Sequence, residues 1–180
     1  QAPPAYRRAV RRAAGRRPAM SAAAGRTVHA TCIAFGDIGV LLRGPSGAGK
    51  SDLALRLIDA GAELVADDRV ALTGRDGRLI AAAPPALAGL IEVRGIGLVS
   101  MPHVSGIAVG LVADLVPPGG AERLPDPAWD AYLGVRIRQV AVSPFEQTAI
   151  AKLRIAAYDA AGQSDPVTGA HRHCKDEPTR

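Results

Sequence analysis

Apolar positions in this chain fall mostly into short runs broken by glycine, proline and aspartate, a pattern that predicts many strands and few helices. Residues 27–34 and 38–42 read as strands joined by Phe35-Gly36-Asp37. From 50 to 60 the spacing changes, and Leu53, Leu55, Leu57 and Ile58 suit a helix opening at Lys50. A third strand is predicted over 62–66, ended by Asp67-Asp68. Residues 69–73 continue extended, Gly74-Arg75-Asp76-Gly77 signals a turn, and 78–82 returns as a hairpin partner. After Pro84-Pro85 come a short helical stretch at 86–90, an extended 91–94, a Gly95-Ile96-Gly97 turn and an extended 98–101. Residues 107–116 form the longest strand candidate, stopped by Pro117-Pro118-Gly119-Gly120. The remaining elements are a strand over 135–142 and a helix over 146–161, and no internal repeat is present. Strand pairs outnumber helices beyond what a doubly wound sheet needs, so the expected fold is α/β with a mixed sheet in a single domain.

Composition changes this picture little. With 180 residues, 48% hydrophobic and 22% charged, the chain can build one real core plus tails, and with 3% aromatic residues that core must be aliphatic. No apolar run approaches the ~18 residues of a membrane span, and no segment has the order of a secretory signal, so the expectation is a cytoplasmic protein with no membrane partner. The net charge of +5 suggests nucleic acid only until it is located. Seven of the 22 basic residues (Arg7, Arg8, Arg11, Arg12, Arg16, Arg17 and Arg26) precede Thr27 with no acidic residue among them, leaving 15 against 17 acidic residues. The arm is rich in Ala and Pro and lacks periodicity, so residues 1–26 are expected to be a disordered basic arm, with ordered sequence beginning close to Met20 and no nucleic-acid partner. Residues 162–180 read as a disordered tail. Two cysteines, Cys32 and Cys174, make no disulfide framework; Cys32 reads as a buried reduced thiol. His171, His173 and Cys174 could bind a soft metal, but the polar tail around them favours no site.

The chemistry concentrates in Gly44-Pro45-Ser46-Gly47-Ala48-Gly49-Lys50-Ser51, between a predicted strand and a predicted helix. Glycines there let backbone N–H groups turn toward phosphate oxygens, and the helix N-terminus adds its positive end. Lys50 is placed to reach β- and γ-phosphates, and the Ser51 hydroxyl to hold Mg²⁺. Residues 27–161 therefore read as a P-loop domain for which nucleotide phosphate with Mg²⁺ is the first ligand to consider, and the loop by itself does not say what receives the phosphate. Asp67-Asp68 at a strand end can bind metal or accept a proton, and equally can be solvated turn residues. In Glu92-Val93-Arg94-Gly95-Ile96-Gly97, strand alternation puts Glu92 and Arg94 on one face, either as site residues or as a surface ion pair. His29, in the strand before the loop, reads by itself as a core histidine.

Taken in order, Val28-His29, Gly44 to Ser51, Leu64-Val65-Ala66-Asp67-Asp68-Arg69-Val70 and Leu90-Ile91-Glu92-Val93-Arg94-Gly95-Ile96-Gly97 resemble the catalytic domain of the bacterial HPr kinase/phosphorylase family. The last two blocks are much more specific than the P-loop, and the resemblance covers roughly 27–157, like a short form without the family's separate N-terminal domain. It implies a fold similar to phosphoenolpyruvate carboxykinase and phosphorylation of a serine of HPr, the small phosphocarrier of the sugar phosphotransferase system. It also implies ATP and Mg²⁺ on the loop, Glu92 as a metal ligand, and Asp67 near the metal or its water shell. Asp68 becomes the proton acceptor in the kinase direction and donor in reverse. His29 joins the active site, and Arg94 belongs to the 92–101 segment used in both directions.

The chain also departs from the family pattern. The arginine of a Glu-Arg-Leu-Gly-like segment is absent, since Ala131-Tyr132 precedes Leu133-Gly134, and Arg123 or Arg136 are the candidate replacements. A Pro-Val-Arg-Pro-Gly-Arg-like loop tied to dephosphorylation has no match; the region reads Val142-Ser143-Pro144-Phe145-Glu146-Gln147. The family's long C-terminal helix is not recognisable in 152–180. The expected function is thus an HPr-type serine kinase with weak or absent phosphorylase activity, with homo-oligomerisation left open. A small-molecule P-loop kinase and a non-catalytic nucleotide-sensing module remain the alternatives.

Overall fold

The computed structural model describes residues 25–163. Its centre is β3 (Ile38–Arg43), buried on both faces, which is why its sequence is an uninterrupted apolar run rather than an alternating one. β2 (Thr31–Phe35) lies antiparallel to β3 on one side and to β4 (Glu63–Ala66) beyond it. On the other side β3 runs parallel to β9 (Ile107–Leu115), and β9 parallel to β11 (Val135–Val142). β4, β3, β9 and β11 therefore point the same way, and the segments that leave their C-terminal ends emerge along one edge of the sheet. The start of β9 pairs instead with β6 (Arg78–Ala82), which continues through β5 (Arg69–Arg75) to β1 (Gly25–His29).

The side chains of these strands divide between two cores. Ile33, Val40, Leu42, Leu111 and Ala113 face the helices α1 (Lys50–Asp59) and α2 (Ala149–Ala160), packing on Leu53, Leu57 and Leu153. Their neighbours Cys32, Ala34, Leu41 and Val112 face the other way, onto Val70, Leu72, Leu79 and Ala81 of β5 and β6. The mixed sheet thus curls so that its β1–β5–β6 end covers the face that the helices leave open. The aliphatic core follows from the composition. Cys32 is a fully buried free thiol, and burial pushes its pKa up to about 12.

Three differences from the sequence reading have physical causes. Residues 27–34 are two strands, because the chain breaks at Ala30 to pass from β5 on one side to β3 and β4 on the other. β1 also takes in Gly25 and Arg26, which composition assigned to the arm; they pair with Thr73 and Leu72. β10 (Ala128–Tyr132), paired with β11, was not foreseen: its inward positions include Asp130, so no apolar alternation announces it. A separate hairpin, β7 (Leu90–Val93) with β8 (Gly97–Ser100), follows a single 3-10 turn at Pro85–Leu87. Residues 1–24 and 164–180, with Met20, the arm arginines up to Arg17, and His171, His173 and Cys174, lie outside the described residues. No helix among the described residues is long and apolar enough to cross a membrane.

Candidate active site

The loop after β3 is seated by Arg43, which reaches across three strands. Its guanidinium donates to both Asp114 oxygens at 2.7 and 2.8 Å, to Tyr132 Oη at 2.8 Å, and to Asp130. Gln139 donates to Asp114 as well. Burial by itself raises the Asp114 carboxyl, but these hydrogen bonds outweigh it and hold the group below its ordinary range. Immediately afterwards Gly47 (φ 81°) and Gly49 (φ 91°) occupy left-handed conformations that only glycine takes cheaply. Gly49 caps α1 without any side-chain hydrogen bond, so the first N–H groups of the helix are not consumed by a serine or aspartate cap.

Lys50, the first helical residue, is buried and turns its Nζ back onto the loop, donating to Gly44 O at 2.8 Å and Pro45 O at 3.0 Å. Burial lowers its pKa, and the nearby Asp68 and Asp67 carboxylates offset part of that effect. Ser51 donates from Oγ to Asp67 Oδ1 at 2.9 Å. Thr31 donates to the same oxygen at 2.7 Å, and the Glu92 N–H to Asp67 Oδ2 at 3.1 Å. Asp67, 5% exposed, therefore ties β2, α1, β4 and β7 at one point.

Asp68 is its opposite. Arg69 N–H donates to Asp67 O at 2.7 Å around Asp68, whose φ is 62°, the geometry of a tight and strained γ-turn. The turn leaves the Asp68 carboxylate 62% exposed, with His29 Nδ1 at 3.0 Å from one oxygen and Arg69 at 3.8 Å from the other. The strand break at Ala30 leaves His29 at the end of β1, paired with Arg69, and half exposed rather than in the core. β7 ends at Val93, so Arg94 lies in the turn and does not share a strand face with Glu92. The Arg94 guanidinium comes to the loop instead: a Cβ built on Gly47 would stand 3.9 Å from its Nη2. Glu92 is exposed beside Asp67.

Lys50, Ser51, Asp67, Asp68, His29 and Arg94, scattered through the sequence, thus gather at the shared sheet edge, with Glu92 joined through its backbone. Arg136 does not join them. It sits near the start of β11, roughly 20 Å along the strand from the edge that carries the loop, and its guanidinium stacks on Trp129 at 4.5 Å. Arg123 is exposed in the segment that leaves β9 at the site edge. Sequence reasoning missed Thr31 and Arg43, whose polarity inside or beside apolar strands was the available signal. It also missed Phe145, whose ring lies against Gly49.

Comparison with known proteins bears on this arrangement. A family model described as HPr Serine kinase C-terminal domain matches residues 20–112. The HPr kinase/phosphorylase of Clostridium tetani (strain Massachusetts / E88) is 41% identical over 81 residues, 45% of this chain and 27% of that protein. The HPr kinase/phosphorylase of Limosilactobacillus reuteri (strain DSM 20016) is 37% identical over 92 residues, 51% of this chain and 29% of that one. The matched part spans under a third of these relatives' length. A solved structure, the Hpr(Ser) kinase/phosphatase from Coxiella burnetii, superimposes with a TM-score of 0.63 at 28% identity, covering 71% of this chain and 91% of that one.

Proposed function

The chain belongs to the HPr serine kinase C-terminal domain family, and from that premise we propose that it is an ATP-dependent protein kinase acting on a serine of an HPr-like phosphocarrier in the cytoplasm. We read its fold as the phosphoenolpyruvate carboxykinase-like form of the P-loop sheet. What supports the reading most is a single cluster: a phosphate-loop lysine and serine beside one buried and one exposed aspartate, with Ser51 Oγ 2.9 Å from Asp67 Oδ1.

Each side chain has a distinct task in this reading. Residues 44–51 hold the triphosphate, Lys50 leaving its two carbonyl partners for the β- and γ-phosphates. Arg94 adds a second cation beside Gly47. Asp68 takes the proton of the serine hydroxyl as that oxygen attacks the γ-phosphorus, and the bond to the β-phosphate oxygen breaks. His29 orients Asp68 from 3.0 Å.

The oxygen donors present suit Mg²⁺, a hard cation usually held by one or two carboxylates, water and substrate phosphates. Ser51 and Glu92 would hold the ion, and Asp67, with both oxygens already engaged, would orient its water shell. When bound, the ion neutralises charge on the phosphates. Among the described residues no three of His, Cys, Asp or Glu form a metal cage, and a site completed by phosphate oxygens needs none.

The decisive experiment incubates the protein with labelled ATP, Mg²⁺ and HPr and maps the label. A single phosphoserine on HPr is expected, together with ATP turnover that depends on HPr. Labelling of a small molecule, or tight ATP binding with no turnover, would replace this reading with a small-molecule kinase or a nucleotide-sensing module. On the metal side, Glu92→Gln should raise the Mg²⁺ concentration for half-maximal activity, and unchanged dependence would remove Glu92 from the metal site.

A further inference from the structure

The loop is bordered by one aromatic ring that the reaction does not use. Phe145 lies in the connection between β11 and α2, and a Cβ built on Gly49 would stand only 2.9 Å from its Cζ and 3.4 Å from its Cε1. The edge of the ring is thus wedged where a side chain at Gly49 would be, while 63% of Phe145 remains exposed. An aromatic ring kept this open is an apolar surface left without protein cover. Its position is fixed by polar ties on both sides: Arg56 of α1 donates to Pro144 O, Glu146 N–H donates to Ser143 O at 3.4 Å, and Lys152 pairs with Glu146.

Strand order gives this placement a direction. β4 lies two strands from β3 on one side, and its end supplies Asp67 and Asp68. β11 lies two strands from β3 on the other side, and its end supplies Phe145. Both ends emerge at the edge that carries the phosphate loop, each about 10 Å from the end of β3 along the sheet, and from there Asp67 reaches Ser51 and Phe145 reaches Gly49. A nucleoside triphosphate on the loop with its γ-phosphate toward Asp68 can extend its base away from the carboxylates, on the side where β11 delivers Phe145. An exposed ring there offers a flat apolar face to a flat aromatic base. The charged residue in 142–147, Glu146, is paired with Lys152.

We infer that Phe145 is the stacking platform for the nucleotide base, so that one end of the donor is held by the loop and the other by this ring. The inference rests on the reading of the loop as a nucleotide site and adds to it the side chain that separates a nucleotide from a bare polyphosphate. Because every base has a π-face, a single ring gives grip without strong discrimination between purines.

The test is calorimetric binding, with Mg²⁺ present, of ATP, GTP and inorganic tripolyphosphate to the native protein and to Phe145→Ala and Phe145→Tyr. Phe145→Ala should weaken ATP and GTP by roughly 5- to 100-fold and leave tripolyphosphate within about 2-fold, and Phe145→Tyr should restore nucleotide binding. Equal weakening of all three ligands would mean that the ring merely props Gly49 and would overturn the inference while leaving the loop assignment standing. Unchanged ATP affinity in Phe145→Ala would also overturn it. If the native protein bound neither ATP nor tripolyphosphate, both the inference and the nucleotide-site reading beneath it would fall.

Discussion

Asp67 and Asp68 show how far residue type and residue role can separate. They are identical and adjacent, yet Asp67 is 5% exposed and accepts three hydrogen bonds, whereas the Asp68 side chain is 62% exposed. Their substitutions should therefore fail in different ways. Asp67→Ala strands the donors of Thr31, Ser51 and Glu92 and should cost about 1–3 kcal/mol of stability in urea unfolding. Asp68→Asn should leave the urea midpoint near that of the native protein while turnover drops roughly 10²- to 10⁴-fold with ATP affinity kept. An active Asp68→Asn variant would remove Asp68 from the proton path. Lys50→Ala should abolish phosphotransfer and weaken Mg²⁺-ATP binding, measured by calorimetry, because the cation for the β- and γ-phosphates is gone; full activity would sink the loop assignment. The pair and the lysine were legible in the sequence as candidates. That Asp67 is a structural tie was not, because Thr31 and the Glu92 N–H arrive from segments far away in the chain.

At the level of elements, periodicity recovered β3, α1, the β5–β6 hairpin and β9 because each shows its burial in its own sequence: an unbroken apolar run, a helical stripe, or a turn at Asp76-Gly77. β10 stayed hidden because its inward residues Asp130 and Tyr132 serve Arg43 rather than an apolar core. The same network carries a pH dependence. Hydrogen bonds from Arg43 and Gln139 hold Asp114 below the ordinary carboxyl value of 3.8, so the ionised form favours the folded state. That contribution is complete above the unfolded value and is lost as pH falls through the lower folded one. Between pH 5 and pH 3, in a range of roughly two units around the ordinary carboxyl value, Asp114→Asn should lose less stability than the native protein while being the less stable of the two at pH 7. Urea midpoints across that range measure the difference. Parallel curves for the two proteins would show that Asp114 is not the group responsible.

For the whole molecule, the sheet edge decides which chemistry has enough positive charge. In the proposed forward reaction the donor phosphate would sit on the loop with Mg²⁺ supplying charge, met by Lys50 and by Arg94 beside Gly47, while Arg69 stands beside Asp68. The reverse reaction would place inorganic phosphate and a phosphoserine side by side, and crowding two such anions requires further cations at the same place. Arg136 cannot serve, since it stands roughly 20 Å down β11 and lies over Trp129. The connection after β11 carries Phe145 and no arginine, and Arg123 alone of the two candidate replacements lies in a segment leaving the site edge. The chain should therefore act as a competent kinase and a poor phosphorylase. Serine-phosphorylated HPr, Mg²⁺ and excess inorganic phosphate, supplied without ATP, should yield pyrophosphate at least 10-fold more slowly than HPr is phosphorylated in the forward direction. Comparable rates would mean that Arg123, Arg94 or Arg69 suffices for both anions. Slowing of the reverse rate alone in Arg123→Ala would then identify which arginine does it.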